Sequence, residues 1–208
     1  MRRARKIADA IPTRDAVFNA AAALFSAKGF DGISVDDIAA RAGVNKAMIY
    51  YHFTDKIALY REVVTDMLTD VGRSASLIAE SASSPEDKLD QFIDNFVRTA
   101  DRRPWFPTMM LREIAEGAPH LDTATLSHIR HVFLAFGKIL AEGRAAGVFR
   151  EIHPVLAYTS ILGPLMFNAA RERVAAQPGR QQFPMFVPVS HDDLIKHGQE
   201  TARRMLRP

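Results

Sequence analysis

Residues 43–56 read GVNKAMIYYHFTDK, which crowds Asn45, Lys46, Tyr50, Tyr51, His52 and Lys56 into one short stretch. A buried core rarely takes so many polar tips, and a solvated helix face rarely takes two neighbouring tyrosines. These types suit contact with a polyanion. A lysine ammonium can donate to guanine O6 and N7, while Ala47 and Met48 can meet thymine methyls. Tyr50, Tyr51 and His52 can donate hydroxyl or ring N–H groups to phosphate. Lys56 falls in the first turn of a following helix, where an ammonium beside free backbone N–H groups suits an anion. Ser34, at another helix start, can add its hydroxyl and backbone N–H to the same strand. Each group also has a plain reading: either tyrosine alone can be a packing residue, Lys56 a surface lysine, and Phe53 belongs to a core.

Such contacts need elements to hold them. Apolar Ala16, Val17, Ala20, Leu24 and Phe25 recur at helical spacing, so a first helix is expected from a Thr13 cap to about Lys28, with Gly29 as its stop. Ser34 with Asp37 three residues on is a capping box with aspartate in place of glutamate, opening a helix that stops at Gly43. Asn45 caps a very short helix, and Asp55 caps a long one from Lys56 towards Ala79. Two helices separated by AGVN form a helix-turn-helix, in which Gly43 permits the sharp turn and Val44 fills the angle. The second helix of that pair carries Asn45, Lys46, Ala47 and Met48 at its start, where side chains can reach base edges.

The surrounding composition agrees. Net charge is only +3, yet residues 1–14 hold Arg2, Arg3, Arg5, Lys6 and Arg14 against Asp9 alone. A basic arm on a near-neutral body points to a polyanion at one end, or to a solvated tail. There is no cysteine, so neither disulfides nor thiolate zinc sites can form, which fits a reducing cytoplasm. The longest uncharged apolar run, ILGPLMF, is far too short to span a bilayer. No G-x-S-x-G elbow, H-E-x-x-H, P-loop or glycine-rich dinucleotide turn occurs, so no catalytic residue and no cofactor are expected. His128 and His131 are spaced to share a metal, but no nearby carboxylate completes the set. The capping role of HDDLIKH accounts for its acids, so no metal is expected there either.

At this point the stretch FSAKGFDGISVDDIAARAGVNKAMIYYHFTDKIALY closely resembles the N-terminal domain of TetR-type bacterial transcription regulators. The resemblance covers about residues 13–62. It implies that NKAMIYYHF is the recognition helix and that Lys56 opens the fourth helix and touches backbone phosphate. Met48 stands where the family often has a small residue or threonine, and Ile57 where an acid is common. Beyond residue 62 the chain matches in helix count and order rather than by motif. The resemblance implies a larger C-terminal domain that dimerises through its last two helices and encloses a small-molecule site.

Helical signals continue through that second half. Ser84, Pro85, Glu86 and Asp87 form a helix start, RRPWFP interrupts the helix, and another runs from about Pro107 to Glu116. Asp122 caps a helix to Ala146, Pro154 opens one through about Arg173, and Ser190 with Asp193 opens the last. The expected fold is all-α with about nine helices. Residues 1–55 would form the three-helix DNA-binding domain with its basic arm, and residues 56–208 the ligand-binding and dimerisation domain.

VLAYTSILGPLMFNAA is apolar nearly all round, so both its faces should be buried, one of them by a second copy. Leu162 and Gly163, with Leu194, Ile195 and Ala202 of the last helix, are the expected dimer interface. Trp105, Phe106, Met109, Met110, Phe133, Phe136, Tyr158, Met166 and Phe167 could line an apolar ligand cavity or could be plain core. Arg112, Glu113 and Asn168 are candidate polar anchors, although Arg112 and Glu113 could equally be a surface pair. The long connection RERVAAQPGRQQFPMFVPV is too apolar for full disorder. The resulting expectation is a cytoplasmic homodimeric repressor that binds a palindromic operator and releases it on binding a small, largely apolar effector. The rival is an architectural DNA-binding protein that senses no metabolite.

Overall fold

The computed structural model describes residues 13–208; the basic arm expected over residues 1–14 lies outside them up to residue 12, and its Arg14 is in the first helix, paired with Glu62. Among the described residues there are nine α-helices and no strand. The helices are α1 (Thr13–Lys28), α2 (Val35–Ala42), α3 (Lys46–His52), α4 (Lys56–Glu80), α5 (Pro85–Arg102), α6 (Trp105–Glu116), α7 (Thr123–Ala145), α8 (Pro154–Ala175) and α9 (His191–Leu206). Contacts divide the chain into two compact units between Val64 and Thr65. The sequence reading places that division at 55/56. The first turns of α4 explain the difference, because Leu59, Tyr60, Val63 and Val64 are buried.

In the first unit α1 packs on α2 and α3. Val17, Ala21, Phe25, Ile38, Ile49 and Leu59 are sealed from solvent, each large side chain contributing about 1.5–3 kcal/mol of burial. Tyr60 meets Phe25 edge-on with ring centroids 4.9 Å apart, and Phe30 at 5.3 Å. The local start and stop signals act as expected. Ser34 and Asp37 close a full capping box, and Gly43 ends α2 in the left-handed region at φ 69°, a conformation that L side chains avoid. Asn45 Oδ1 accepts from the Ala47 N–H at 2.9 Å, and Asp55 Oδ1 from the Ala58 N–H at 2.8 Å.

The second unit is built on α5, which packs against α9 and α7, while α6 lies on α8. Leu89, Ile93, Met109, Phe136, Ile139, Leu162 and Leu206 form its interior. α6 begins at Trp105 rather than Pro107. Lys88 is buried, yet its charge is answered: Nζ donates to the Ala79 carbonyl at 2.9 Å and to Glu142 Oε2 at 2.5 Å. Truncating one partner of such a pair would leave an uncompensated buried charge. A side chain at Gly143 would start 1.9 Å from the Phe149 ring, so only glycine fits there. The connection from α8 to α9 contains two short 3-10 turns, Arg180–Gln182 and Pro184–Phe186. Arg171 Nη1 anchors it, donating to the carbonyls of Met185 and Val187, both at 2.9 Å. No helix among the described residues is long and apolar enough to cross a membrane.

Candidate nucleic-acid interface

α3 is two turns long and buries one face only. Ile49 points inward and is fully buried, and Phe53 behind it joins the core. Helical spacing then sends Ala47 and Tyr51 outward, opposite Ile49, with Lys46 and Tyr50 on the adjoining flank. All four are exposed. Tyr51 is 79% and Tyr50 49% accessible, so neither tyrosine is a packing residue of this chain. Met48 is half-buried. Asn45 is exposed, with its carbonyl oxygen committed to the cap.

Three candidate contacts, Ser34, Lys56 and His52, differ from the sequence expectation, and a fourth, Lys46, has a partner within the chain. The Ser34 hydroxyl donates to Asp37 Oδ2 at 2.7 Å, and the Ser34 backbone N–H reaches the same oxygen at 2.7 Å. Both groups offered to phosphate are therefore occupied by the capping box. These bonds also hold the Asp37 carboxyl below its usual range. The Lys56 ammonium does not stand free either. It donates to the carbonyls of Phe30 at 2.9 Å and Ile33 at 3.0 Å, and lies 4.1 Å from the Phe30 ring centroid. It braces the loop between α1 and α2. His52 Nε2 is buried without a hydrogen-bond partner, so that nitrogen faces inward rather than towards a phosphate. Lys46 Nζ donates to Asp36 Oδ2 at 2.8 Å, and that bond raises the lysine pKa above its ordinary value. Asp36 is absent from the sequence expectation, because its pairing across the turn has no local signature.

In the second unit, four of the five expected interface residues lie inside a single chain. Leu162, Leu194, Ile195 and Ala202 are buried there, Leu162 to 2% accessibility. They are core: α9 turns Leu194, Ile195 and Ala202 onto α5 and α8, and Leu162 lies on α8, which packs on α5 and α7. Gly163 alone is partly open, and a side chain added there would meet nothing within 4 Å. The outward face of α8 is instead Leu156, Ser160, Pro164 and Phe167. Asn168 lies beside that face, its Nδ2 donating to the Pro164 carbonyl at 2.9 Å.

Among the expected cavity residues, Phe106, Met109, Met110 and Phe136 are buried, while Trp105, Phe133, Tyr158 and Met166 are half-buried. Tyr158 packs edge-on against Phe133 and Phe136, each at 5.6 Å. Burial pushes its phenol up to about 12. Phe167 is 58% exposed and points away from this group. A 780 Å³ hollow lies elsewhere, between the C-terminal half of α7 and residues 150–154, and contains none of the nine. Glu113 is not half of a surface pair: it is buried, 2.8 Å from His120 Nδ1. His128 Nδ1 lies 3.2 Å from Thr69 Oγ1. Among the described residues no group of three histidines or carboxylates is placed to hold a metal.

Known proteins resemble this chain in sequence and in fold. Residues 17–63 match the family described as bacterial regulatory proteins, tetR family, and residues 85–178 match the tetracyclin repressor-like C-terminal domain. The negative regulator IcaR of the biofilm operon icaADBC in Staphylococcus aureus (strain Newman) is 31% identical over 90 residues, 43% of this chain and 48% of that protein. The match thus spans about half the length of that relative. The transcriptional repressor DhaR of Mycobacterium sp. (strain GP1) is 24% identical over 186 residues, 88% of this chain and 93% of that one. PfmR from Thermus thermophilus shares the fold with a TM-score of 0.73 at 24% identity, over 92% of this chain and 99% of its own. The ketosteroid regulator KstR2 of Mycobacterium tuberculosis does so with a TM-score of 0.76 at 17% identity, over 98% and 100%. With the helix-turn-helix matched in one unit and the regulatory helices in the other, this chain belongs to the tetR family of bacterial regulatory proteins.

Proposed function

We propose that this protein is a cytoplasmic transcriptional repressor that binds a palindromic operator as a homodimer and is released by a small, largely apolar effector. The observation that carries the reading is the outward face of α3. There Lys46, Ala47, Tyr50 and Tyr51 are exposed on a helix whose inner face is fixed by Ile49. Tyrosine hydroxyls and a lysine at the start of a short helix match what phosphate and base edges accept. A two-fold dimer presents two such helices, so its half-sites would lie about one helical turn apart.

The outward face of α8 supports a second copy as partner. Leu156 and Phe167 are exposed on it beside the open approach at Gly163. The effector reading rests on the apolar group of α6, α7 and α8. Within α6, Thr108 Oγ1 is buried without a hydrogen-bond partner. An unsatisfied hydroxyl costs about 1–3 kcal/mol, which a ligand acceptor would relieve. Selection of bound fragments from random DNA tests the reading, and enrichment of one palindrome is the expected result. Thermal-shift screening of hydrophobic metabolites, followed by operator-release assays, tests the effector. A generic DNA preference with no responding compound would favour an architectural protein.

A further inference from the structure

α2 opens with two acids, and they do different work. Asp37 is committed to its own helix start, accepting from the Ser34 N–H and hydroxyl. Asp36 is not part of that box. Its Oδ2 accepts from Lys46 Nζ at 2.8 Å, across the turn and ten residues along the chain. The carboxylate stays 68% and the lysine side chain 44% accessible, so the pair sits in solvent on the side where α3 presents its outward residues. An exposed ion pair of this kind adds little to stability, which leaves its placement unexplained by folding. A carboxylate on a surface that meets phosphates also repels them, so a binding face optimised only for affinity would lack it.

We propose that Asp36 is a specificity-determining positioning residue: it holds the Lys46 ammonium away from indiscriminate phosphate contact and aims it at one base edge. The inference rests on the DNA-binding reading above and adds a residue and a role to it. Without Asp36 the lysine is a mobile cation that any backbone phosphate can take. With Asp36 present, Lys46 gains most by donating to an acceptor pair such as guanine O6 and N7 while keeping one bond to the carboxylate. Discrimination is thereby raised and generic attraction lowered.

The test uses the full chain as wild type, Asp36→Asn, Lys46→Ala and the double variant, each checked for helical content. Each is put through the same selection from random DNA and titrated against a non-specific duplex. Asp36→Asn is expected to bind the non-specific duplex several-fold more tightly. It should also lose about tenfold of discrimination at a single base position per half-site, the scale of one side-chain base contact. Lys46→Ala should lose preference at that same position, and the double variant should lose no more than Lys46→Ala alone. A preference profile unchanged by Asp36→Asn would overturn the proposal. So would a loss from Asp36→Asn that persists in the Lys46→Ala background, since Asp36 would then read the base itself. If the wild-type chain enriches no sequence, the DNA reading falls and this proposal falls with it.

Discussion

The Lys56 ammonium donates to the Phe30 carbonyl at 2.9 Å while lying 4.1 Å from the centre of the same residue's ring. One side chain thus satisfies a loop carbonyl and caps an aromatic face, and its second bond, to Ile33, ties the far end of that loop. Lys56→Met should therefore lower stability by about 1–3 kcal/mol, the range for a charged hydrogen bond lost from partly buried carbonyls. Its salt slope of DNA binding should stay near that of wild type. Urea denaturation and titrations at several salt concentrations measure both. A slope flattened by about one unit with unchanged stability would place the ammonium on a phosphate instead.

Tyr50 and Tyr51 invite the opposite pattern. Both are exposed, so Tyr51→Ala should change stability by no more than about 0.5 kcal/mol. Operator affinity should drop, and Tyr51→Phe should reproduce most of that loss if the hydroxyl is the donor. Because a phenol carries no charge, the salt dependence should not move. Full operator affinity in Tyr51→Ala would remove this residue from the interface.

The outer face of α8 and its inner face should respond differently to charge. Phe167→Glu or Leu156→Arg on the exposed side should yield a folded monomer, seen by sedimentation together with unchanged helical content. Leu162→Arg should fail to fold, because the site is 2% accessible and a lone buried charge costs several kcal/mol. A dimeric Phe167→Glu protein would exclude this face as the contact.

Tyr158 sets an alkaline limit. Its folded pKa of about 12 stands above the ordinary value of 10.0 because burial disfavours the phenolate. Between those values the unfolded chain gives up the proton first, so stability is intact below pH 10 and is lost as pH rises towards 12. Two pKa units correspond to about 2–3 kcal/mol. Denaturation curves across that window should show this decline in wild type and lose that component in Tyr158→Phe.

What could be read from the sequence was local. The Ser34–Asp37 box, Gly43, the Asn45 cap and the Ser84–Pro85 start each act within a few residues of themselves, and each is found in its place. What could not be read was mostly a matter of distance or of choice between equal faces. The carbonyls that Lys56 meets lie 26 and 23 residues away. Nothing in VLAYTSILGPLMFNAA, apolar nearly all round, indicates which side turns inward, so the sequence reading sets Leu162 outside and Phe167 inside, the reverse of the structure. Ser34 shows a third limit. A capping residue can look like a ligand donor until its hydrogen bonds are counted.

The three Ser-x-x-Asp helix starts, at Ser34, Ser84 and Ser190, carry a consequence for how the chain reaches its fold. Each start needs only four consecutive residues, so a nascent helix can be punctuated correctly before any distant partner has been made. Contacts close in sequence form within microseconds, whereas long-range pairings must first meet the entropy of loop closure. The slow events should be those that join remote segments, such as α9 settling against α5. Substituting alanine at Ser190 should then delay or weaken that last docking while leaving the earlier helices to assemble at their usual rate.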